Sequence, residues 1–594
     1  MSTSNPHAVY TARAAERRAT EAALERRHLQ FSFTRVGLFV AELVLLWVVF
    51  GANALSAWWL LPPVALFLFL AVRHEDVVRR RDRARRAAEH YEQGLARLEN
   101  RWQKVGPDGA RFLDAEHPYA IDLDLFGEGS LFRLLCRARS SAGEARLAQW
   151  LLTPAEADQI RNRQAAVREL APELGLREEL AVLGAEVETQ VHAKDLTEWC
   201  ALDAPAPNAI DRWLALALGL AGLVAVLGWI AGWWRSAPVL GLALLQLPLR
   251  ARWKNALRRA RLGADHAVRD LKLLSETLAR LERTDYQAPL LAQLRARLHA
   301  HGAPSAEIRA LDRRVDGYEA RRNAMLAPFT ALFLLDVQFG LAIEAWRVRH
   351  GQDVPDWLDI VAEFEALSSL ASYAHETPDA QFPAIVATPH FEAESIGHPL
   401  LPHDRCVRNS VRVTPTEALL VISGSNMSGK STFLRTIGLA AVLAQAGAPL
   451  RATSLTIGPL ALGASIRIVD SLQDGTSRFY AEVKRVRQIV ELTKGDRPVL
   501  FLVDEIFQGT NSHDRRIGVE TILASLLERG ALGLITTHDL ALTEIVDRLA
   551  PRARNVHFED HLEEGRMVFD YTLRDGVVAK SNALALMRSV GLDV

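Results

Sequence analysis

The chain has 594 residues, 49% apolar and 24% charged, with 70 basic against 71 acidic side chains. That length suits several domains around large buried cores, and the composition excludes a disordered chain. A net charge of −1 argues against a globally basic nucleic-acid binder but leaves room for local patches. The scattered cysteines Cys136, Cys200 and Cys406 exclude a disulfide scaffold or a cysteine-rich zinc module.

Residues 11–35 and 75–103 are rich in Arg, Ala and Glu at helical spacing and predict amphipathic helices. Between them, residues 36–72 carry one charge, Glu42, and are long enough for two helices turning at Gly51-Ala52-Asn53-Ala54. Each half is short for a bilayer span of about 20 residues, so tilt or snorkelling is expected. A second run is uncharged from 213 to 234 and, after Arg235 and Pro238, continues as an apolar segment to 249. Trp58, Trp59, Trp213, Trp233 and Trp234 sit near ends or turns, where an interfacial belt would place them. Arginines follow both runs, including Arg79, Arg80 and Arg81 after the first and Arg250 and Arg252 after the second. Both runs therefore read as transmembrane hairpins in the cytoplasmic membrane, with all their ends cytoplasmic. Buried core hairpins are the alternative. Glu42 is either a functional carboxylate within the first hairpin or a residue facing a helix partner or an interface. A third apolar run, 325–346, contains Asp336, Gln338 and Glu344 and reads as a core helix, because unpaired charges at bilayer depth are costly.

Pro107-Asp108-Gly109 marks a turn and a boundary. The reading divides the chain into residues 1–110, N-terminal helices with the hairpin 36–72; 111–380, an all-α domain interrupted by the hairpin 213–249; and 381–594, an α/β domain. In the last of these, short β-rich runs at 418–423, 498–503 and 532–537 alternate with helical ones, the pattern of a parallel sheet.

The sharpest motif is Gly424-Ser425-Asn426-Met427-Ser428-Gly429-Lys430-Ser431-Thr432, between the apolar run 418–423 and the helix-forming run 433–445. It has the phosphate-loop pattern in the strand–loop–helix context that pattern requires. Backbone N–H groups of residues 424–432 would cradle the phosphates of ATP, with Lys430 on the β- and γ-phosphates and Ser431 on Mg²⁺. Further on, Val499-Leu500-Phe501-Leu502-Val503-Asp504-Glu505 ends an apolar strand in two carboxylates. Asp504 would hold the Mg²⁺ shell, and Glu505 would polarise the attacking water as general base. Thr536-Thr537-His538-Asp539 follows the next strand, placing His538 to sense the γ-phosphate.

These residues resemble the ATPase domain of the MutS family of DNA mismatch repair proteins. The likeness lies in 424–438, 474–483, 504–514, 536–539, 555–559 and 581–587, with Gly397-His398-Pro399 upstream. It extends to Gly129-Ser130-Leu131-Phe132, Gly143-Glu144-Ala145-Arg146-Leu147, Trp150-Leu151, Pro154 and Arg163-Gln164, which look like the start of the family's helical core and lever. The resemblance implies an ABC-type P-loop ATPase domain behind an all-α lever domain, working as a head-to-tail homodimer. Ser477 would then cap the γ-phosphate of the partner's ATP. No LSGGQ segment occurs, which disfavours an ABC transporter subunit.

Departures from the family pattern bear on function. Ser425 and Ser428 stand where the family has Pro and Gly, and Cys406 falls where an aromatic stacks on adenine. The resemblance leaves no room for a mismatch-reading domain, and the apolar run 213–249 stands where the family inserts a DNA-gripping clamp. A C-terminal nuclease-like extension is not expected. The expectation is a membrane-anchored, MutS-like dimeric ATPase, with any DNA contact through arginine-rich faces and without mismatch specificity. The alternative is a soluble-type DNA repair or recombination factor whose apolar runs are core or oligomer contacts.

Overall fold

The computed structural model describes residues 5–578 apart from 53, 189–192, 263–267, 301, 320–329, 331, 468–477, 508–511 and 564–565. Ser477 and the stretch 581–587 therefore lie outside the described residues.

The chain opens with a long antiparallel pair, α1 (Pro6–Phe50) and α2 (Leu61–Leu98). Helix α1 starts where the Asn5 side chain accepts the His7 N–H at 3.0 Å, with proline at its first position. Its lower half is tied to α2 by ion pairs, Arg18 to Glu92 at 2.7 Å and Arg81 to Glu25 at 3.1 Å. The upper half is apolar and bare, with Phe33, Trp47 and Trp58 strongly exposed. An Oε1 oxygen of Glu42 is enclosed there without a hydrogen-bond partner among the described residues.

A helical region follows: α3 (Leu131–Leu135), α4 (Ser141–Leu152), α5 (Ala157–Leu170), α6 (Leu174–Glu188), α7 (Ala193–Ala201), α8 (Ala209–Ile230) and α9 (Ala237–Leu262). It continues through α10 (Val268–Arg283), α11 (Pro289–His299), α12 (Pro304–Glu319), α13 (Leu335–His350) and α14 (Val354–Glu376). Helices α8 and α9 form the second apolar hairpin, and α9 runs on through Pro248 into its arginine-rich end. Helix α13 covers most of the described part of the third apolar run, and the charges of that run are paired. Asp336 meets Arg250 at 3.0 Å, and the fully buried Glu344 meets Arg347 at 2.9 Å and Arg259 at 2.5 Å. Among the described residues, three helical stretches are long and apolar enough to cross a membrane: Pro6–Phe50, Ala57–Leu98 and Ala209–Ile230.

The last region is a mixed α/β fold. It contains β1 (Ala384–Ile385), β2 (Phe391–Ile396), β3 (Asn409–Val413), β4 (Leu419–Ser423), α15 (Lys430–Ala446), β5 (Ser454–Ile457) and β6 (Ala461–Ser465). Then come α16 (Arg478–Leu492), β7 (Val499–Val503), α17 (Ser512–Glu528), β8 (Leu532–Thr537), α18 (Ile545–Leu549), β9 (Ala553–Glu563) and β10 (Arg566–Asp575). One sheet has the order β1-β5-β2-β3; the other is β10-β9-β4-β8-β7-β6, parallel except for β10. Strands β4, β7 and β8 are fully buried, as apolar runs covered on both faces must be.

Two buried carboxylates join the regions. Glu376, at the end of α14, accepts Arg97 of α2 at 2.5 and 2.6 Å and the Tyr10 hydroxyl of α1 at 3.3 Å. The arginines beside it hold its carboxyl below the ordinary carboxylate range against the opposing effect of burial. Asp122, in the segment before α3, accepts the N–H groups of Ile466 and Arg467 at 2.7 and 2.8 Å and pairs with Arg485 of α16 at 2.6 Å. This docks the 119–126 segment against the end of β6, with Leu123 against the face of α15 at Gly438.

Candidate functional site

The phosphate loop leaves β4 at Ser423 and enters α15 at Lys430. Its turn demands glycine at both ends. Gly424 has φ +152°, and a side chain there would meet the Phe558 carbonyl and the Ser428 hydroxyl at 2.9 Å. Gly429 has φ +101° and lies under the ring of Tyr571. Lys430 is buried, and its ammonium donates to the carbonyls of Gly424 at 2.9 Å and Ser425 at 2.8 Å. Burial pulls its pKa down, while Glu505, Asp504 and Asp560 act in the opposite direction.

Because β4, β7 and β8 are parallel neighbours, their carboxyl ends bring the other expected residues alongside this loop. Asp504 and Glu505 follow β7, and His538 follows β8. Glu505 stands at φ +50°, a strained position for a non-glycine residue. Thr536 holds it. Its buried hydroxyl accepts the Glu505 N–H at 2.9 Å and donates to Asp504 Oδ1. Phe507, at φ +56°, donates its N–H to the buried Glu482, and Arg515 donates to the Ile506 carbonyl at 2.9 Å. The turn carrying both carboxylates is thus fixed from three sides. His538 Nδ1 lies 3.3 Å from Glu505 Oε1.

A cavity of about 820 Å³ lies over these groups, within the size range of nucleotide and drug-sized pockets. Asn426, Met427, Gly429, Lys430, Ser431, Thr432, Asp504 and Glu505 line its polar side. Its other wall contains His398, Cys406, Phe558 and Tyr571. The hydroxyls of Ser425 and Ser428 are enclosed without a hydrogen-bond partner among the described residues. Bare donors and a buried ammonium turned onto carbonyls are a chemistry that phosphate oxygens would satisfy. A divalent ion fits beside them. Ser431 and Asp504 face the same space, and no cluster of three acidic, His or Cys ligands occurs among the described residues. Mg²⁺ takes this arrangement, one or two protein ligands completed by phosphate and water.

The structure therefore brings together residues 424–432, Asp504, Glu505 and His538; Ser477 lies outside the described residues. Sequence reasoning passed over Thr536 as a positioning group and missed Tyr571. The Tyr571 ring reaches the cavity only because β10 bulges between Phe569 and Leu573. Asn409 pins that bulge, donating to the Tyr571 carbonyl at 3.0 Å and accepting the Leu573 N–H at 2.7 Å. Cys406 does line the cavity, as its spacing implies, but it shares that wall with an aromatic ring. Phe569-Asp570-Tyr571, aromatic at alternate positions before a glycine turn, was the available signal.

Residues 420–593 match the family described as MutS domain V. A 254-residue stretch, 41% of this chain, is 31% identical to the protein named Endonuclease MutS2 from Thermus thermophilus. That stretch spans 32% of the relative's own length.

Proposed function

From the premise that the phosphate-loop end of this chain belongs to the MutS family, we propose that the protein is a Mg²⁺-dependent ATPase anchored in a membrane. One observation carries the reading. Lys430, Asp504 and Glu505 line one cavity at the carboxyl ends of parallel strands, and His538, at the end of the strand between them, lies 3.3 Å from Glu505. Residues 424–430 bind the phosphates, and Ser431 and Asp504 hold the metal that offsets charge on the leaving group. Glu505 takes the proton of the attacking water, and His538 orients that carboxylate across 3.3 Å. Tyr571 and Phe558 offer the apolar side for a base. The ATPase regions pair head to tail, with Ser477 completing the partner's site, as the family resemblance implies.

The membrane part of the proposal is supported by Pro6–Phe50 and Ala57–Leu98, whose most apolar stretches are 6% and 0% buried. Apolar faces of that size in water mark a contact with lipid or protein. Their stalks meet the end of α14, the helix that leads into the α/β region, through Tyr10, Arg97 and Glu376, so nucleotide-driven movement of α14 would be felt by the hairpin. Binding to DNA would proceed through arginine contacts to phosphates, and so depend on salt and ignore mismatches. Nuclease activity, named for the relative, is not carried over.

Glu505→Gln tests the chemistry. It should retain ATP and lower turnover by about 10²- to 10⁴-fold, whereas Lys430→Ala should weaken nucleotide binding itself. Hydrolysis near the normal rate in Glu505→Gln would assign the base elsewhere.

A further inference from the structure

A second cavity, of about 470 Å³, opens at the foot of the second apolar hairpin, between the start of α8, the end of α12 and α13. Its lining is divided in character. Arg212, Arg314 and Gln338 supply the polar side; Trp213, Leu216 and Phe339 supply the apolar side. Neither arginine is ion-paired with a carboxylate among the described residues. Arg314 is partly buried, and that burial lowers its pKa; Glu307 raises it, while Arg212, Arg349 and Arg313 lower it further. Three arginines and one carboxylate therefore act on Arg314. Arg212 is exposed and Arg314 partly buried, so an anion entering the cavity could reach both guanidinium groups and form charge-assisted hydrogen bonds with them.

The apolar side says what carries that anion. Trp213 is 70% exposed, and beyond it α8 continues with the exposed side chains of Leu220, Val224 and Leu227, along the helix long and apolar enough to span a bilayer. A ligand seated here would place its charge against two arginines and its body along that face. We propose that Arg212 and Arg314, set beside Trp213 at the base of α8, bind the phosphate of an anionic phospholipid whose acyl chain runs along Leu216 and Leu220. Basic pockets at the cytoplasmic ends of spanning helices take such headgroups. The site rests on the membrane reading above. It would fix the height of the α8–α9 hairpin in the bilayer, since the headgroup sits at the interface.

The test uses the full chain, first in its native membranes and then in detergent. After a delipidating wash, phosphatidylglycerol or phosphatidylcholine is added, and bound lipid is counted by native mass spectrometry. Phosphatidylglycerol should be retained and phosphatidylcholine should not. Arg212→Gln and Arg314→Gln should each weaken retention about fivefold, and together they should nearly abolish it. The double Lys variant, which keeps both charges and guards against a folding artefact, should retain most of it. Arg79→Gln, on the exposed stalk pair with Glu75, should change nothing. Equal retention of the two lipids, or no loss in the double Gln variant, overturns the site. Displacement of the lipid by inorganic phosphate overturns the lipid assignment and leaves a free-anion site. If carbonate strips the chain from native membranes without detergent, the membrane reading fails and the site falls with it. A chain that resists carbonate but treats both lipids alike overturns the site alone.

Discussion

Thr536 carries more of the proposed chemistry than its size suggests. Its one hydroxyl serves both carboxylates, donating to Asp504 and accepting the N–H of the strained Glu505. Thr536→Val keeps the shape and removes both bonds. An unmet hydrogen bond at a buried site costs about 1–3 kcal/mol. Turnover should therefore fall about tenfold or more while ATP affinity holds, because Lys430 and the loop amides are untouched. Single-turnover hydrolysis beside nucleotide titration separates the two, and a loss confined to affinity would contradict the assignment. His398 sets a pH limit. Burial first, then Arg435 and Arg451, take its pKa from 6.5 down to about 4. Between those values the unfolded chain binds a proton that the folded one refuses, so stability rises with pH across that window and falls as pH drops below 6.5. The loss reaches about 3 kcal/mol near the lower end. His375, brought to about 4 mainly by burial, adds in the same direction. Melting temperature should fall from pH 6.5 toward 4, and His398→Asn should flatten the slope; an unchanged slope in that variant would remove His398 from the account.

At the scale of elements, the nucleotide loop and its strands were legible because their signals are local. Four or five consecutive buried apolar residues ending in Gly, in Asp-Glu or in Thr-Thr-His identify β4, β7 and β8 without knowledge of their neighbours. The apolar hairpins were legible for the same reason, being long unbroken runs. What stayed hidden depends on contacts distant in sequence. The β10 bulge that turns Tyr571 into the cavity is held by Asn409 from another sheet. Nothing around Tyr119-Ala120-Ile121-Asp122 announces that the segment docks on the α/β region, because the segment itself is irregular backbone and its partners lie more than 300 residues away. Yet Asp122 is almost completely buried and holds two N–H groups and one guanidinium. Asp122→Ala leaves Arg485 and both amides unmet and should cost about 3 kcal/mol, while Asp122→Asn, which keeps an acceptor, should cost less. Denaturant midpoints of the full chain check this; equal midpoints for Asp122→Ala and the parent would mean that the segment is not holding the two regions together.

At the scale of the whole molecule, polar contacts tie the stalks of the exposed apolar helices to the end of α14, just before the chain that walls the cavity. The stalk residues Tyr10 and Arg97 meet Glu376 at the end of α14, and the chain then enters the small sheet that walls the cavity at His398 and Cys406. The central claim is that ATP hydrolysis at Glu505 belongs to a chain held in a bilayer. Flotation tests it most directly. The full chain is reconstituted into lipid vesicles, washed with carbonate and floated through a density gradient, and each fraction is assayed for Mg²⁺-dependent ATP hydrolysis beside the Glu505→Gln variant. The account predicts hydrolysis in the floating vesicle fraction after the wash, and Glu505→Gln protein floating in the same place without it. Activity left in the carbonate supernatant, with none on the vesicles, would contradict it.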